Sequence, residues 1–127
     1  MLYDVGKIDA FYNGTRGQIV AKLLREDLSN IWNPSKTASN LAVGFPFYFF
    51  PEGVICPVLM PAEIGGMPWA FEEENYTAII DSKSWPLESD SIDCILISHV
   101  LEFIPDHHSF LMEAGRVLKS SGKLILM

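Results

Sequence analysis

The chain has 127 residues, with 9 Lys+Arg against 16 Asp+Glu for a net charge of −7, and is 49% hydrophobic and 20% charged. That length suits one domain with a core of its own, and that composition excludes wholesale disorder. The acidic balance, without any basic stripe, argues against nucleic acid as a partner.

The longest apolar run, residues 41–51, is broken by Gly44 and Pro46. It falls short of the ~20 apolar residues that a bilayer span needs, so no membrane partner is expected. The start, Met1-Leu2-Tyr3-Asp4, has no basic region ahead of an apolar stretch. A signal peptide is therefore not expected, and the expected compartment is the cytoplasm. Cys56 and Cys94 each sit inside an apolar segment and read as buried, reduced thiols.

Residues 15–32 carry Ile19, Leu23, Leu24, Leu28, Ile31 and Trp32 at helical spacing, which predicts an amphipathic helix. Thr15 or Asn13 can cap its start, and Asn33-Pro34 ends it. Residues 41–45 read as a short buried strand. Residues 47–50 lie between Pro46 and Pro51, with room for one helical turn at most. Residues 54–60 read as a second strand, and the internal Pro57 argues for an edge position or a bulge. Residues 61–75 read as a loop or an irregular short helix, with Glu72, Glu73 and Glu74 on a solvated stretch.

A third strand is expected at 76–80, ending at Asp81. Residues 82–91 form a polar connection around Trp85-Pro86-Leu87. The fourth strand, 92–98, has a continuous apolar run that suggests burial on both faces. A short helix at 99–104 is stopped by Pro105. Asp106 then caps a helix over 107–119, with Phe110, Leu111, Ala114, Val117 and Leu118 on its inner stripe. Gly122 suits a left-handed position after that helix, and residues 123–127 read as a fifth strand. Strands alternating with helices or long crossovers argue for a parallel α/β sheet.

From Trp85 onward the pattern becomes specific. Trp85-Pro86-Leu87-Glu88-Ser89-Asp90-Ser91-Ile92-Asp93 runs into Cys94-Ile95-Leu96-Ile97-Ser98-His99-Val100-Leu101-Glu102. Pro105-Asp106 and Glu113-Ala114-Gly115-Arg116-Val117-Leu118-Lys119 follow, then Ser120-Ser121-Gly122-Lys123-Leu124. This stretch resembles the second half of a class I S-adenosylmethionine-dependent methyltransferase domain, in particular a methyltransferase type 11-like domain. The early part is similar to a divergent branch in which a helix with a Gly-Gln pair, here Gly17-Gln18, precedes the sheet. That branch also has an atypical glycine loop, here Val43-Gly44-Phe45.

The resemblance implies a Rossmann-like parallel sheet of order 3-2-1-4-5, lacking the terminal strands of the usual seven-stranded methyltransferase. It implies one domain: an N-terminal helical segment, 1–37, and a truncated Rossmann-like core, 38–127. S-adenosylmethionine is the implied cofactor and the acceptor is unassigned. In an open parallel sheet, ligands sit at the carboxyl ends of the strands where their order reverses. The implied cofactor-binding residues are therefore Gly44 and Phe45 after strand one, Met60 at the end of strand two, Asp81 and Ser82 after strand three, and Ser98 and His99 after strand four. His99 is the nearest candidate for a base, and no catalytic residue is assigned.

Several features depart from the family pattern. Gly44 is the one glycine kept in the loop, Phe45, Pro46 and Phe47 stand where small residues are usual, and Met60 replaces a ribose-binding acid. These favour a second reading, a catalytically inactive methyltransferase-fold binding or scaffold module. A dinucleotide binder fares worse, because no G-x-G-x-x-G occurs. His99, Glu102, His107, His108 and Glu113 do not share a metal-ligand spacing, so no metal is expected. An open edge on strand five leads to the expectation of a homo-oligomer, or of a fragment of a longer chain.

Overall fold

The computed structural model describes residues 5–31, 39–45, 57–64 and 77–127. The expectations for Trp32, for residues 47–50, for Cys56 and for Glu72, Glu73 and Glu74 lie outside these. Two helices, α1 (Val5–Asn13) and α2 (Thr15–Ile31), precede the sheet. Then follow β1 (Asn40–Gly44), β2 (Val58–Pro61), β3 (Thr77–Ile80), β4 (Ile92–Ser98), α3 (His107–Val117) and β5 (Leu118–Leu126). The five strands form one parallel sheet of order β3-β2-β1-β4-β5, which is the expected Rossmann-like order.

Strand alternation splits the core between the two faces of the sheet. Leu41, Val43, Ile95 and Ile97 meet Phe110, Ala114 and Val117 of α3 on one face. Ala42, Val58, Cys94 and Leu96 meet Tyr12, Ala21 and Leu28 of α1 and α2 on the other. β1 and β4 are central and buried on both faces, so each reads as an unbroken apolar run. Cys94 is buried, and burial pushes its thiol above the ordinary value.

Four expectations need correction. The helix α1 was not anticipated: its nine residues are too few to give a strong periodic signal, and packing on α2 and the sheet supplies its stability. β2 is interior rather than an edge. Pro57 lies just before it, where a missing N–H costs no ladder bond, and its carbonyl accepts from Ala42 N–H at 3.0 Å. Residues 101–103 form a turn, closed by Phe103 N–H to the Val100 carbonyl at 2.9 Å, and no helix follows β4 before Pro105. Gly122 is not left-handed. α3 passes directly into β5 through an extended Leu118, and a Cβ at residue 122 would press on Leu118 Cδ1 at 2.6 Å.

Asp106 caps α3 as expected, accepting from Ser109 N–H at 3.0 Å and from the Ser109 hydroxyl at 2.7 Å. β5 is an edge strand whose Leu124 and Leu126 side chains are exposed, and β3 forms the other edge. Among the described residues, no helix is long and apolar enough to cross a membrane.

Candidate functional site

Strand order reverses between β1 and β4, whose carboxyl ends pair Gly44 with Ser98. Gly44 has φ 100°, a conformation natural to glycine. A Cβ there would run into the Ser98 carbonyl oxygen and stand 2.5 Å from Val100 Cγ2. The next residue ties the two strands together. Phe45 N–H donates to the Ser98 hydroxyl at 3.1 Å and to the Ser98 carbonyl at 3.2 Å. Ser98 is fully buried by this latch, and the Phe45 ring is fully buried against the α3 side of the core, 6.1 Å from the Phe103 ring. The glycine is thus required by the closeness of β4, and Phe45 and Ser98 close the seam beneath the crevice.

At the end of β2, Met60 is buried opposite Ile79. The chain then turns through Ile64 N–H to the Pro61 carbonyl at 3.0 Å. Asp81 follows β3 and is exposed, and its Oδ1 accepts from Lys83 N–H at 2.9 Å. Such a bond is the usual aspartate turn. Ser82 is buried, and its carbonyl accepts from Trp85 Nε1 at 3.1 Å. Gly44, Asp81 and His99 therefore stand at or just after the carboxyl ends of three strands, β1, β3 and β4.

His99 is the most unusual residue of the group. Its φ of 54° is left-handed, a conformation uncommon outside glycine, though histidine enters it more readily than most side chains. The conformation costs roughly 1–3 kcal/mol and is held by contacts on every side. Its N–H donates to the Met127 oxygen at 3.1 Å, Nε2 lies 2.6 Å from the Tyr12 hydroxyl, and Nδ1 lies 3.5 Å from Glu102 Oε1. The Tyr12 and His99 rings meet edge to face at 5.6 Å. Burial, and then the Glu102 carboxylate, push the Tyr12 phenol above its ordinary value. A neutral phenol that donates to Nε2 requires the imidazole proton on Nδ1, toward Glu102. Tyr12 and His99 line one end of a crevice of about 380 Å³, whose walls come from Leu24, Leu28 and Ile31 of α2 and from Ile125 and Leu126 of β5.

The Trp85–Arg116 stretch has a different job. Glu113 accepts from Trp85 N–H at 2.8 Å and from Arg116 Nε at 2.6 Å, while Arg116 Nη2 donates to the Trp85 carbonyl at 3.0 Å. This clamp fixes the β3–β4 connection to α3, with the buried Trp85 ring 5.2 Å from Phe110. Arg116 holds the Glu113 carboxyl below the usual range. Among the described residues, no three His, Cys, Asp or Glu side chains gather to hold a metal ion.

Of the residues named from the sequence, Gly44, Asp81 and His99 lie at or just after strand ends, and Phe45, Met60, Ser82 and Ser98 are buried. The partner that sequence reading missed is Tyr12, because α1 was not anticipated and 87 residues separate it from His99. The available signal was Ile8 and Tyr12, four residues apart, ahead of the Gly17-Gln18 helix.

Residues 70–126 match the family model described as a methyltransferase domain, over less than half of the chain. No protein of curated function matches the sequence. Among solved structures, one assigned provisionally as an S-adenosyl-L-methionine-dependent methyltransferase, from Methanococcus maripaludis, aligns with a TM-score of 0.64 at 15% identity, over 95% of this chain and 60% of its own. A SAM-dependent methyltransferase from Thermotoga maritima aligns with a TM-score of 0.64 at 20% identity, over 96% of this chain and 56% of its own. A Haloferax volcanii protein of the same provisional class, solved in complex with the Trm112 methyltransferase activator, aligns with a TM-score of 0.58 at 15% identity, over 95% of this chain and 58% of its own. The chain thus has a class I methyltransferase-like fold and spans a little over half the length of these structures. By this resemblance, S-adenosylmethionine is the supported cofactor.

Proposed function

We propose that the chain is a domain of an S-adenosylmethionine-dependent methyltransferase, binding its cofactor across the β1–β4 switch point. The observation that supports the reading is the reversal of strand order between β1 and β4, with Gly44 and Ser98 paired at their carboxyl ends and His99 next in the chain. In this reading Gly44 lets backbone approach the ligand, Asp81 and Ser82 take the adenosine end, and Met60 offers an apolar wall. Phe45 and Ser98 shape the floor. The cofactor supplies a methyl group on a sulfonium, an electrophile for an in-line attack, and the protein's share is positioning and removal of a proton.

A specific observation also favours the second reading, a catalytically silent binding module. Gly44 is explained by Ser98, Phe45 is packed into the core, and the end of β2 presents Met60 and Pro61 rather than an acid. Calorimetric titration with S-adenosylmethionine and with its demethylated product separates the two. Micromolar binding that weakens at least tenfold in Asp81→Ala supports the enzyme, and no heat at millimolar ligand supports the silent module. The reading keeps a cytoplasmic setting. It also includes self-association through the β5 edge, which the exposed Leu124 and Leu126 side chains support.

A further inference from the structure

We propose that Tyr12, His99 and Glu102 form a proton relay opening into the α2–β5 crevice, and that this crevice takes a small, largely apolar acceptor bearing a phenolic hydroxyl. The proposal rests on the methyltransferase reading and adds to it a substrate class and a catalytic residue. Three independent observations converge. The Tyr12 hydroxyl, His99 ring and Glu102 carboxylate stand in line, with 2.6 Å and 3.5 Å between their polar atoms. His99 is held at φ 54°, and strained residues of this kind concentrate at functional positions. The crevice beside them is walled by Leu24, Leu28, Ile31, Ile125 and Leu126, which suits an apolar body.

The order of the three groups decides which of them meets the acceptor. His99 Nε2 already faces the Tyr12 hydroxyl and Nδ1 faces Glu102. The imidazole therefore acts through the phenol. The acceptor's O–H proton passes to the Tyr12 oxygen as the Tyr12 proton moves to His99 Nε2. The electron pair of the broken O–H bond stays on the acceptor oxygen and would form the O–CH3 bond as the methyl–sulfur bond of the sulfonium breaks, that bond's pair staying on sulfur as a neutral thioether. The imidazolium so formed faces the Glu102 carboxylate, and its proton later leaves to water. Tyr12 touches the acceptor, and Glu102 is a positioning residue that acts through His99.

The chemistry also selects the acceptor. Proton transfer is most effective between groups of similar acidity; the net base here is the imidazole, and among neutral hydroxyl groups a phenol, at about 10, lies closest to it. Among the described residues, Glu102 from the turn after β4 lies against His99 and Asp27 from α2 lines the crevice, and β5 contributes Ile125, Leu126 and Met127 to it. Two carboxylates disfavour an anionic acceptor of the same shape.

The test uses the whole chain with 4-ethylphenol as acceptor probe and 4-ethylbenzoate as its anionic counterpart. Nitrogen-15 NMR of the ligand-free protein, at a pH where the ring is neutral, should find His99 protonated on Nδ1, and Tyr12→Phe should return it to the commoner Nε2–H form. 4-Ethylphenol at millimolar concentration should shift resonances of Tyr12, Leu28, His99 and Ile125, and 4-ethylbenzoate should not. With S-adenosylmethionine, Tyr12→Phe should lower kcat for the phenol about 10²-fold with unchanged KM for the cofactor. An Nε2–H tautomer in the unmodified protein, or equal shifts from the two probes, overturns the proposal. Failure to bind S-adenosylmethionine would remove the methyltransferase reading while the tautomer and probe results still stand, so the two fail separately.

Discussion

Gly17 of α2 lies flush against the backbone of Phe11, so that a β-carbon on residue 17 would overlap the Phe11 carbonyl and stand 2.6 Å from the Tyr12 Cα. The glycine is the means by which α1 is seated, and through α1 the Tyr12 hydroxyl reaches His99. Gly17→Ala should therefore displace α1 and break the Tyr12–His99 bond while leaving the sheet intact. The expected result is native-like circular dichroism, a lowered Tm, and His99 nitrogen shifts resembling those of Tyr12→Phe. Unchanged His99 shifts would refute the link.

Gly44→Ala should be far more damaging. A left-handed φ of 100° costs a side chain roughly 1–3 kcal/mol, and the added methyl meets the Ser98 backbone, which cannot swing aside. Loss of soluble protein, or a Tm lowered by more than about 10 °C, is expected on thermal denaturation. A Tm close to the parent would show that β1 and β4 can part without cost.

Trp85→Ala should cost about 3–5 kcal/mol, the usual range for emptying a large aromatic site. The indole is buried on Phe110 and its Nε1–H is satisfied by Ser82. Urea unfolding measures the loss. A change below about 1 kcal/mol would mean that the β3–β4 connection is not docked on α3.

Stability should fall on acidification. Asp93 is held below the ordinary carboxylate range by the Ser39 N–H and then by Lys119, Asp106 by the Ser109 N–H and hydroxyl, and Glu113 by Arg116. A carboxylate depressed in the folded state contributes stability that is complete above its unfolded value, near about 4, and is lost as pH drops through the folded value. Urea unfolding should be flat near neutrality and decline from about pH 5 downward. Glu113→Gln should shallow that decline, and an equally steep acid limb in the variant would count against the clamp.

Leu124→Lys with Leu126→Lys should suppress self-association at the β5 edge, since inserted charge is how natural edges avoid pairing. Both side chains are exposed, so the fold should survive. Sedimentation velocity over a range of concentrations compares parent and variant, and identical distributions would place any association elsewhere.

The central strands were legible because burial on both faces writes itself as an apolar run, as in Cys94-Ile95-Leu96-Ile97. α2 and α3 were legible from their stripes and from the Asp106 cap. β2 was misjudged because Pro57 removes an N–H but keeps a carbonyl, and Ala42 uses only the carbonyl. The site was half legible. Strand ends can be counted from sequence, which is how Gly44, Asp81 and His99 are placed at or beside them. The Tyr12–His99 contact depends on how a helix lands on the far face of the sheet, and no local pattern encodes that. The motif from Trp85 to Arg116 points to the fold, yet its polar residues mostly tie a connection down.

The innermost ladder of the sheet joins residues 40–44 to residues 94–98. An emerging polypeptide therefore cannot complete the middle of this sheet until residue 98 has been made. β2 and β3 can pair only with each other and with a β1 still open on its other side. Closing so long a loop is entropically costly and slows assembly. β1, β2 and β3 should thus remain incompletely packed, with apolar surface open to chaperones, until β4 arrives to pair with β1.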